Sequence, residues 1–140
     1  MKDKKQKILV VDDDEFIRIY FKDVLWIHGM EAKYDVQTIE TIEEAQKIID
    51  SPETRPDIIF LDLAGLMMVD GQRITTVEAG FSLLKRIKGD AETKGIKVVM
   101  YTGYNNKEYM DKAHELGADG YLVKGEKMPQ ELVKFIKEIK

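Results

Sequence analysis

The sequence predicts a doubly wound α/β fold of the (βα)₅ type, a five-stranded parallel sheet with helices on both faces. Five short apolar or β-rich runs alternate with five segments whose apolar residues recur at helical spacing. The runs are continuous rather than alternating, as expected of strands that are buried on both faces. A helix between successive strands favours right-handed crossovers and therefore a parallel sheet.

The composition indicates one soluble globular domain covering residues 1–140. Hydrophobic residues make up 44% of the chain and charged residues 34%, as in ordinary globular proteins. The chain has no cysteine, which excludes disulfides and thiolate metal sites. The net charge of −4 argues against direct nucleic-acid binding. No apolar stretch approaches the ~20 residues of a membrane span, so we expect a cytoplasmic protein without membrane contact.

The N-terminal half contains the first three predicted strands, at residues 8–11, 34–40 and 57–63. The first helix spans residues 15–29 and ends at Gly29. Its predicted apolar residues are Phe16, Ile17, Tyr20, Val24 and Ile27. Asp14 and Glu15 suit the positive end of its dipole. The second helix spans residues 41–50 and opens with Thr41 and Glu44 at capping-box spacing.

The C-terminal half contains the last two predicted strands, at residues 97–103 and 120–125. The remaining helices are predicted at residues 81–88, 106–117 and 129–140. Asn106 is the expected N-cap of the fourth helix and Gly117 its stop. Pro129 suits the first turn of the last helix.

Residues 64–79 are expected to form an extended loop after the third strand. Loops between a strand and a helix usually have ~2–6 residues. The sequence "GLMMV" is apolar and "DGQRITT" is polar and turn-forming, so we expect a loop with a mobile tip. It begins two residues after Asp62, near the end of the third strand, where parallel α/β sheets bind ligands, so we expect a contact with a partner or a lid rather than passive disorder.

Reactive side chains follow four of the five predicted strands. Asp12 and Asp13 follow the first, Asp62 lies near the end of the third, Thr102 ends the fourth and Lys124 ends the fifth. In parallel α/β sheets, ligands bind beyond these carboxyl ends. Three converging carboxylates repel one another, and Mg²⁺, which prefers oxygen ligands, would relieve that repulsion. The pattern therefore predicts a Mg²⁺ site at which Lys124 and Thr102 serve an incoming phosphoryl group.

The same residues lie in four motifs, "VVDDDE", "IIFLDL", "VVMYTG" and "GADGYLVKG". Taken in order, these motifs resemble the receiver domain of two-component response regulators, and the resemblance covers essentially the whole chain. It implies a flavodoxin-like sheet with strand order 2-1-3-4-5. Three departures are Gly125, where the family usually has proline after the lysine, the small side chain of Ala64, and a loop after the third strand that is longer than the family's usual one.

The resemblance also assigns roles to individual residues. It implies that Asp62 is the phosphoacceptor and that Lys124 pairs with the phosphoryl group. It implies that Asp13 binds Mg²⁺ directly and that Asp12 acts through water. Asp62 and the backbone carbonyl of Ala64 would complete the metal ligands. Thr102 would hydrogen-bond a phosphoryl oxygen, and Tyr121 would be the aromatic rotamer switch.

A phosphorylation-activated signalling switch in a phosphorelay is the function that this resemblance implies. The phosphoryl group would come from a histidine kinase, a phosphotransfer protein or a small phosphodonor. The chain would catalyse only its own Mg²⁺-dependent phosphorylation and dephosphorylation. Its activated face would bind a downstream protein or output domain, or form a phosphorylation-dependent dimer through the fourth helix, fifth strand and fifth helix.

Two other functions are alternatives to a phosphorylation-activated switch. One is a receiver-like module that docks partners without phosphorylation, which the complete set of site residues argues against. The other is a Mg²⁺-dependent phosphatase of the haloacid dehalogenase type. That type needs a second aspartate two residues after its nucleophile, where this chain has Ala64. The sequence names neither the cognate kinase nor the output, and leaves open whether the chain is a stand-alone receiver or a fragment.

Overall fold

The computed structural model describes residues 4–139. The first three residues of the basic N-terminal segment lie outside these described residues. So does residue 140, the last residue of the predicted final helix. None of the helices between residues 4 and 139 combines the length and the apolar character that a membrane span requires.

The strands and helices of the described residues follow the predicted alternation, with one addition after the third strand. The strands are β1 Gln6–Val11, β2 Tyr34–Ile39, β3 Ile58–Leu61, β4 Gly65–Val69, β5 Gln72–Thr76, β6 Lys97–Thr102 and β7 Gly120–Val123. The helices are α1 Glu15–Ile27, α2 Ile42–Asp50, α3 Val77–Gly89, α4 Lys107–Glu115 and α5 Pro129–Glu138, with a 3₁₀ turn at Met30–Ala32.

The main sheet has five strands in the order β2-β1-β3-β6-β7, and each neighbouring pair is parallel. This is the predicted order 2-1-3-4-5 of the five strands expected from the sequence, and the doubly wound α/β fold is confirmed. The order places β1, β3, β6 and β7 side by side, so their carboxyl ends form one continuous edge.

Two apolar cores lie on opposite faces of the sheet, which explains why β1, β3 and β6 are continuous apolar runs, whereas the edge strand β2 alternates. Leu9 and Leu61 face a core built with side chains of α2 and α3. Ile8 and Phe60 face the other core, built with side chains of α1 and α5. The predicted apolar face of α1 was partly wrong, because Phe16 and Ile27 are exposed, whereas Phe21 and Leu25 are buried.

Local sequence signals account for most helix ends. Asp14 caps α1, and its carboxylate accepts a hydrogen bond from the Phe16 amide at 2.9 Å. Thr41 caps α2 by accepting from the Glu44 amide at 3.2 Å. Gly117 follows α4 with a φ of 97°, a left-handed conformation that favours glycine. Asn106 is the N-cap residue of α4, as predicted, but within the described residues its side chain makes no capping hydrogen bond.

The expected long loop at residues 64–79 is instead a β-hairpin that leads directly into a helix. Strands β4 and β5 pair in antiparallel fashion around a turn at Asp70 and Gly71, whose φ angles are 50° and 79°. Two positive φ values define a type I′ turn, for which Asp-Gly is a preferred sequence. Helix α3 then begins at Val77, four residues before the predicted start, because Thr76 caps it by accepting from the Ala79 amide at 3.1 Å.

The hairpin is fixed at its base and along β4. Leu66 is buried, and it forms an isolated parallel bridge with Thr41 at the start of α2. The Met68 amide donates to the Glu43 carboxylate at 2.8 Å. A Cβ added to Gly65 would lie 2.7 Å from a side-chain carbon of Ile42. The hairpin is therefore packed against the start of α2, and the expected mobile tip is replaced by a tight turn.

Candidate functional site

The carboxyl edge of the main sheet brings the predicted site residues together. Asp12 follows β1, Asp62 follows β3, Thr102 ends β6 and Lys124 follows β7. The backbone pairing extends beyond the strand ends: the Asp62 amide donates to the Val11 carbonyl at 3.0 Å, and the Lys124 amide donates to the Thr102 carbonyl at 2.8 Å. The sheet therefore fixes these side chains next to one another.

Three carboxylates form the acidic part of the site. One oxygen from each of Asp12, Asp13 and Asp62 lies within 4.8 Å of the others. Asp12 is 3% exposed and Asp62 is 9% exposed, whereas Asp13 is half-buried. Backbone amides hold the two buried groups: Asp14 donates to Asp12 at 2.9 Å, and Ala64 donates to Asp62 at 3.3 Å.

Lys124 bridges the two buried carboxylates. Its Nζ lies 2.7 Å from Asp12 Oδ2 and 3.2 Å from Asp62 Oδ2. A cation between two buried anions offsets part of their mutual repulsion. The same ammonium lies close enough to Asp62 to contact a group attached to that carboxylate.

The pKa values of these three groups are shifted because the groups are buried close together. Burial, followed by the charge of Asp62, raises the pKa of Asp12 to about 6, even though Lys124 opposes the shift. Burial also raises the pKa of Asp62, against the lowering effects of Lys124, the Ala64 amide and the Thr102 hydroxyl. Burial alone would lower the pKa of Lys124, but its hydrogen bond to Asp12 and the two aspartate charges outweigh burial and raise it.

The donor set fits a hard divalent cation. All three side chains offer carboxylate oxygens, which are the ligands that Mg²⁺ prefers. Two of these carboxylates have raised pKa values because their charges are buried close together. A bound cation would remove that repulsion. The Ala64 carbonyl stays a predicted ligand, because the contact that the structure records for this residue is made by its amide.

Thr102 and Tyr121 are linked through the backbone of Tyr104, a residue that the sequence reasoning missed. Thr102 is fully buried, and its Oγ1 accepts from the Tyr104 amide at 3.4 Å. The half-buried Tyr121 donates its hydroxyl to the Tyr104 carbonyl at 2.8 Å. Burial, followed by the charges of Tyr109 and Asp62, raises the pKa of Tyr121 to about 12. The two predicted switch residues therefore share one peptide segment.

Arg18 is a second residue that sequence reasoning missed. Its guanidinium donates to the Asp12 carbonyl at 2.8 Å, so it braces the loop that carries the acidic pair. Arg18 lies one turn into α1, where an arginine is ordinarily a solvated surface residue. The short contact across the helix start could not be read from spacing alone.

Comparison with known proteins points to one family. The model for the response regulator receiver domain matches residues 8–137. The chain is 30% identical over 132 residues to the phosphate regulon transcriptional regulatory protein PhoB of Pseudomonas aeruginosa, covering 94% of this chain and 50% of PhoB. It is 31% identical over 113 residues to the sporulation initiation phosphotransferase F of Bacillus subtilis, covering 81% of this chain and 77% of that protein.

Solved structures agree with the sequence comparisons. The chemotaxis protein CheY4 of Vibrio cholerae superposes with a TM-score of 0.76 at 26% identity, over 98% of this chain and all of that one. By contrast, the chain spans about half the length of the transcriptional regulators that it matches, from 42% to 51%. The likeness to those regulators therefore concerns one part of each.

Proposed function

The chain belongs to the response regulator receiver domain family of two-component systems, a class of signalling modules rather than classical enzymes, and on that premise we propose that it is a switch phosphorylated on Asp62. The observation that carries the proposal is the position of Asp62, whose carboxylate lies beside the acidic pair and within reach of the Lys124 ammonium. A carboxylate with a cation at 3.2 Å suits a nucleophile that accepts an anionic group.

In the proposed reaction, an Asp62 carboxylate oxygen attacks phosphorus and forms a P–O bond. The bond from phosphorus to the donor breaks, and its electron pair leaves with the donor, either a histidine nitrogen or the oxygen of a small acyl phosphate. Charge spreads over the equatorial phosphoryl oxygens during transfer. Lys124 and the Thr102 hydroxyl are positioned to stabilise that charge, so the chain's contribution is positioning and electrostatic stabilisation.

Asp12, Asp13, Asp62 and the Ala64 carbonyl are the groups that would hold Mg²⁺. When bound, the ion supplies positive charge that offsets the carboxylates and the phosphoryl oxygens. The chain's own residues hold the Asp62 carboxylate in position in two ways. The sheet holds the nucleophile in place, and the Ala64 amide at 3.3 Å fixes its second oxygen.

Activation would pass from Thr102 to Tyr121 through Tyr104. A phosphoryl group that draws the Thr102 hydroxyl inward would disturb the Tyr104 amide that donates to it. The Tyr104 carbonyl is the acceptor for Tyr121, so the same movement would weaken the contact that holds the Tyr121 ring. Tyr121 then turns inward, a shift between two populations driven by their different contacts with the phosphoryl group.

We further propose the setting in which this switch works. The phosphodonor is a histidine kinase or a phosphotransfer protein, and the activated surface is the face of α4, β7 and α5. That face would bind a downstream protein or output domain, or a second phosphorylated copy. The chain would act as one receiver domain over residues 1–140, in the cytoplasm and without direct nucleic-acid binding.

Incubation with acetyl phosphate, with and without Mg²⁺, tests the proposal by intact mass. Wild type should gain the mass of one phosphoryl group only when Mg²⁺ is present, and Asp62→Asn should gain none. Asp57→Asn is a matched control, because Asp57 precedes β3 at the opposite end of the strand. Equal labelling of Asp62→Asn and wild type would overturn the proposal and favour the docking module that works without phosphorylation.

A further inference from the structure

The hairpin formed by β4 and β5 has one covered edge and one open edge. The outer edge of β4 is covered by the start of α2, through the bridge from Leu66 to Thr41 and the Met68 amide bonded to Glu43. The outer edge of β5 pairs with no strand among residues 4–139. Its first four residues, from Gln72 to Thr75, are all exposed.

The register shows which backbone groups of β5 point outward. The Met68 amide points away from β5, towards Glu43, so its partner Arg73 belongs to a non-hydrogen-bonded pair. In such a pair, both residues direct their amide and carbonyl away from each other. Alternation gives Thr75, which is opposite Leu66, the same orientation. Arg73 and Thr75 therefore present two amides and two carbonyls along the open edge.

The side chains of this hairpin do little to protect the edge. Natural sheets protect open edges with charges, proline or bulges, but β5 carries one charge, Arg73, and neither proline nor a bulge. Val69 and Ile74 share a face of the hairpin with Met67, and they are 42% and 39% exposed. The hairpin therefore combines unpaired backbone groups with exposed apolar side chains.

We propose that the open edge of β5 pairs with β5 of a second copy of this chain, in antiparallel orientation about a two-fold axis at Ile74. In that register, Arg73 of one copy faces Thr75 of the other, and each such pair exchanges two backbone hydrogen bonds. The two Ile74 side chains meet on the axis as a close non-hydrogen-bonded pair. The product is a four-stranded sheet with an apolar stripe across its centre.

The register and the charges of β5 suit pairing with a second copy. No like charges lie opposite each other, because each Arg73 faces a threonine. The outward residues are two apart, so a two-fold axis on the residue between them matches every donor with an acceptor. This dimer differs from the one through α4, β7 and α5, and it needs neither phosphorylation nor Mg²⁺. It does not rest on the proposed function.

One strand edge covers far less than the ~1,200 Å² of a stable interface. We therefore expect a weak dimer, with a dissociation constant of about 0.1–1 mM. Sedimentation equilibrium of the full chain up to about 1 mM would detect association of this strength. The amide signals of Arg73 and Thr75 should shift with concentration in NMR spectra.

Thr75→Pro removes an outward amide without touching the bonds between β4 and β5, because proline is tolerated at a free edge. It should abolish dimerisation, whereas Thr75→Val, which keeps the amide, should not. Thr75→Lys, which puts a second cation opposite Arg73 of the other copy, should weaken the dimer, and Thr75→Glu should strengthen it. Melting temperature and far-ultraviolet circular dichroism confirm that each variant is folded.

Two results would overturn the proposal. One is a wild-type chain that stays monomeric throughout the concentration range. That result would also be expected if the edge of β5 binds a strand of another protein instead of a second copy. The other is a dimer in which Thr75→Lys and Thr75→Glu change the association constant in the same direction. If Thr75→Pro does not fold, the opposite signs of these two charged variants decide the question without it.

Discussion

Asp12 should destabilise the metal-free protein when it is ionised, and Asp12→Asn should relieve that cost. Burial and the charge of Asp62 raise the pKa of Asp12 from 3.8 to about 6. Each pKa unit corresponds to about 1.4 kcal/mol, so the ionised folded protein is destabilised by up to roughly 3 kcal/mol relative to its protonated form. Asparagine keeps the shape and an acceptor for the Asp14 amide, but it carries no charge.

The expected gain in unfolding free energy is about 1–3 kcal/mol at about pH 8, a net value because the raised pKa of Asp12 already includes the opposing attraction of Lys124. For a domain of this size, each kcal/mol raises the melting temperature by about 2–4 °C. Thermal melting without Mg²⁺ measures the difference. Asp14→Asn is the matched control: it removes a charge from the same loop, but the residue is exposed, and asparagine caps helices as well as aspartate does.

The pH dependence distinguishes relieved repulsion from improved packing. The folded protein binds the Asp12 proton more tightly than the unfolded chain does, so the wild type loses stability as the pH rises from about 4 through 6. The advantage of Asp12→Asn should therefore be absent below about pH 4 and complete above about pH 7. A variant that is less stable than wild type at high pH, or a gain that is independent of pH, would refute the reasoning.

Three further changes have expected outcomes. Lys124→Met should slow labelling by acetyl phosphate about 100-fold, as when a stabilising donor is removed, in an intact-mass time course; an unchanged rate would contradict its role. Leu66→Ala should cost about 2–3 kcal/mol in urea unfolding, because it opens a cavity under the hairpin; a loss below about 1 kcal/mol would mean that the hairpin is loosely attached. Tyr121→Phe removes the hydroxyl bonded to Tyr104 and should cost about 1 kcal/mol or less, since water can replace the partially exposed contact. In NMR spectra it should also move the Tyr104 amide signal, and an unmoved signal would disprove the coupling.

The sheet and the site were predictable because both depend on local signals that agree with one another. Apolar runs gave the strands, and the parallel order placed Asp12, Asp62 and Lys124 at one edge. The roles of these residues were inferred from the resemblance to receiver domains, and they stay predictions until phosphorylation is measured. Which carboxylate is buried could not be read from the sequence: the neighbours Asp12 and Asp13 look equivalent, yet Asp12 is 3% exposed and Asp13 is half-buried.

The hairpin was missed although its strongest signal was present in the sequence. Asp70 and Gly71 form the dipeptide typical of a type I′ turn, with the β-branched Val69 before it and Ile74, Thr75 and Thr76 after it. The length of the segment between the third strand and the next helix predicts a loop instead, and length does not distinguish a loop from a hairpin. Tyr104 and Arg18 were missed for a different reason: both act through backbone contacts across a turn, and such contacts leave no periodic pattern.

The central claim is that filling the site at Asp62 changes the surface around Tyr121. The most direct test is the amide NMR spectrum of the Mg²⁺-loaded chain before and after addition of beryllofluoride, which mimics a phosphoryl group. We predict shifts at Ala64 and Thr102 together with shifts at Tyr104, Tyr121 and the Lys107–Glu115 helix, and none of these in Asp62→Asn. Shifts that stay next to Asp62 and leave Tyr121 and that helix unchanged would contradict the account.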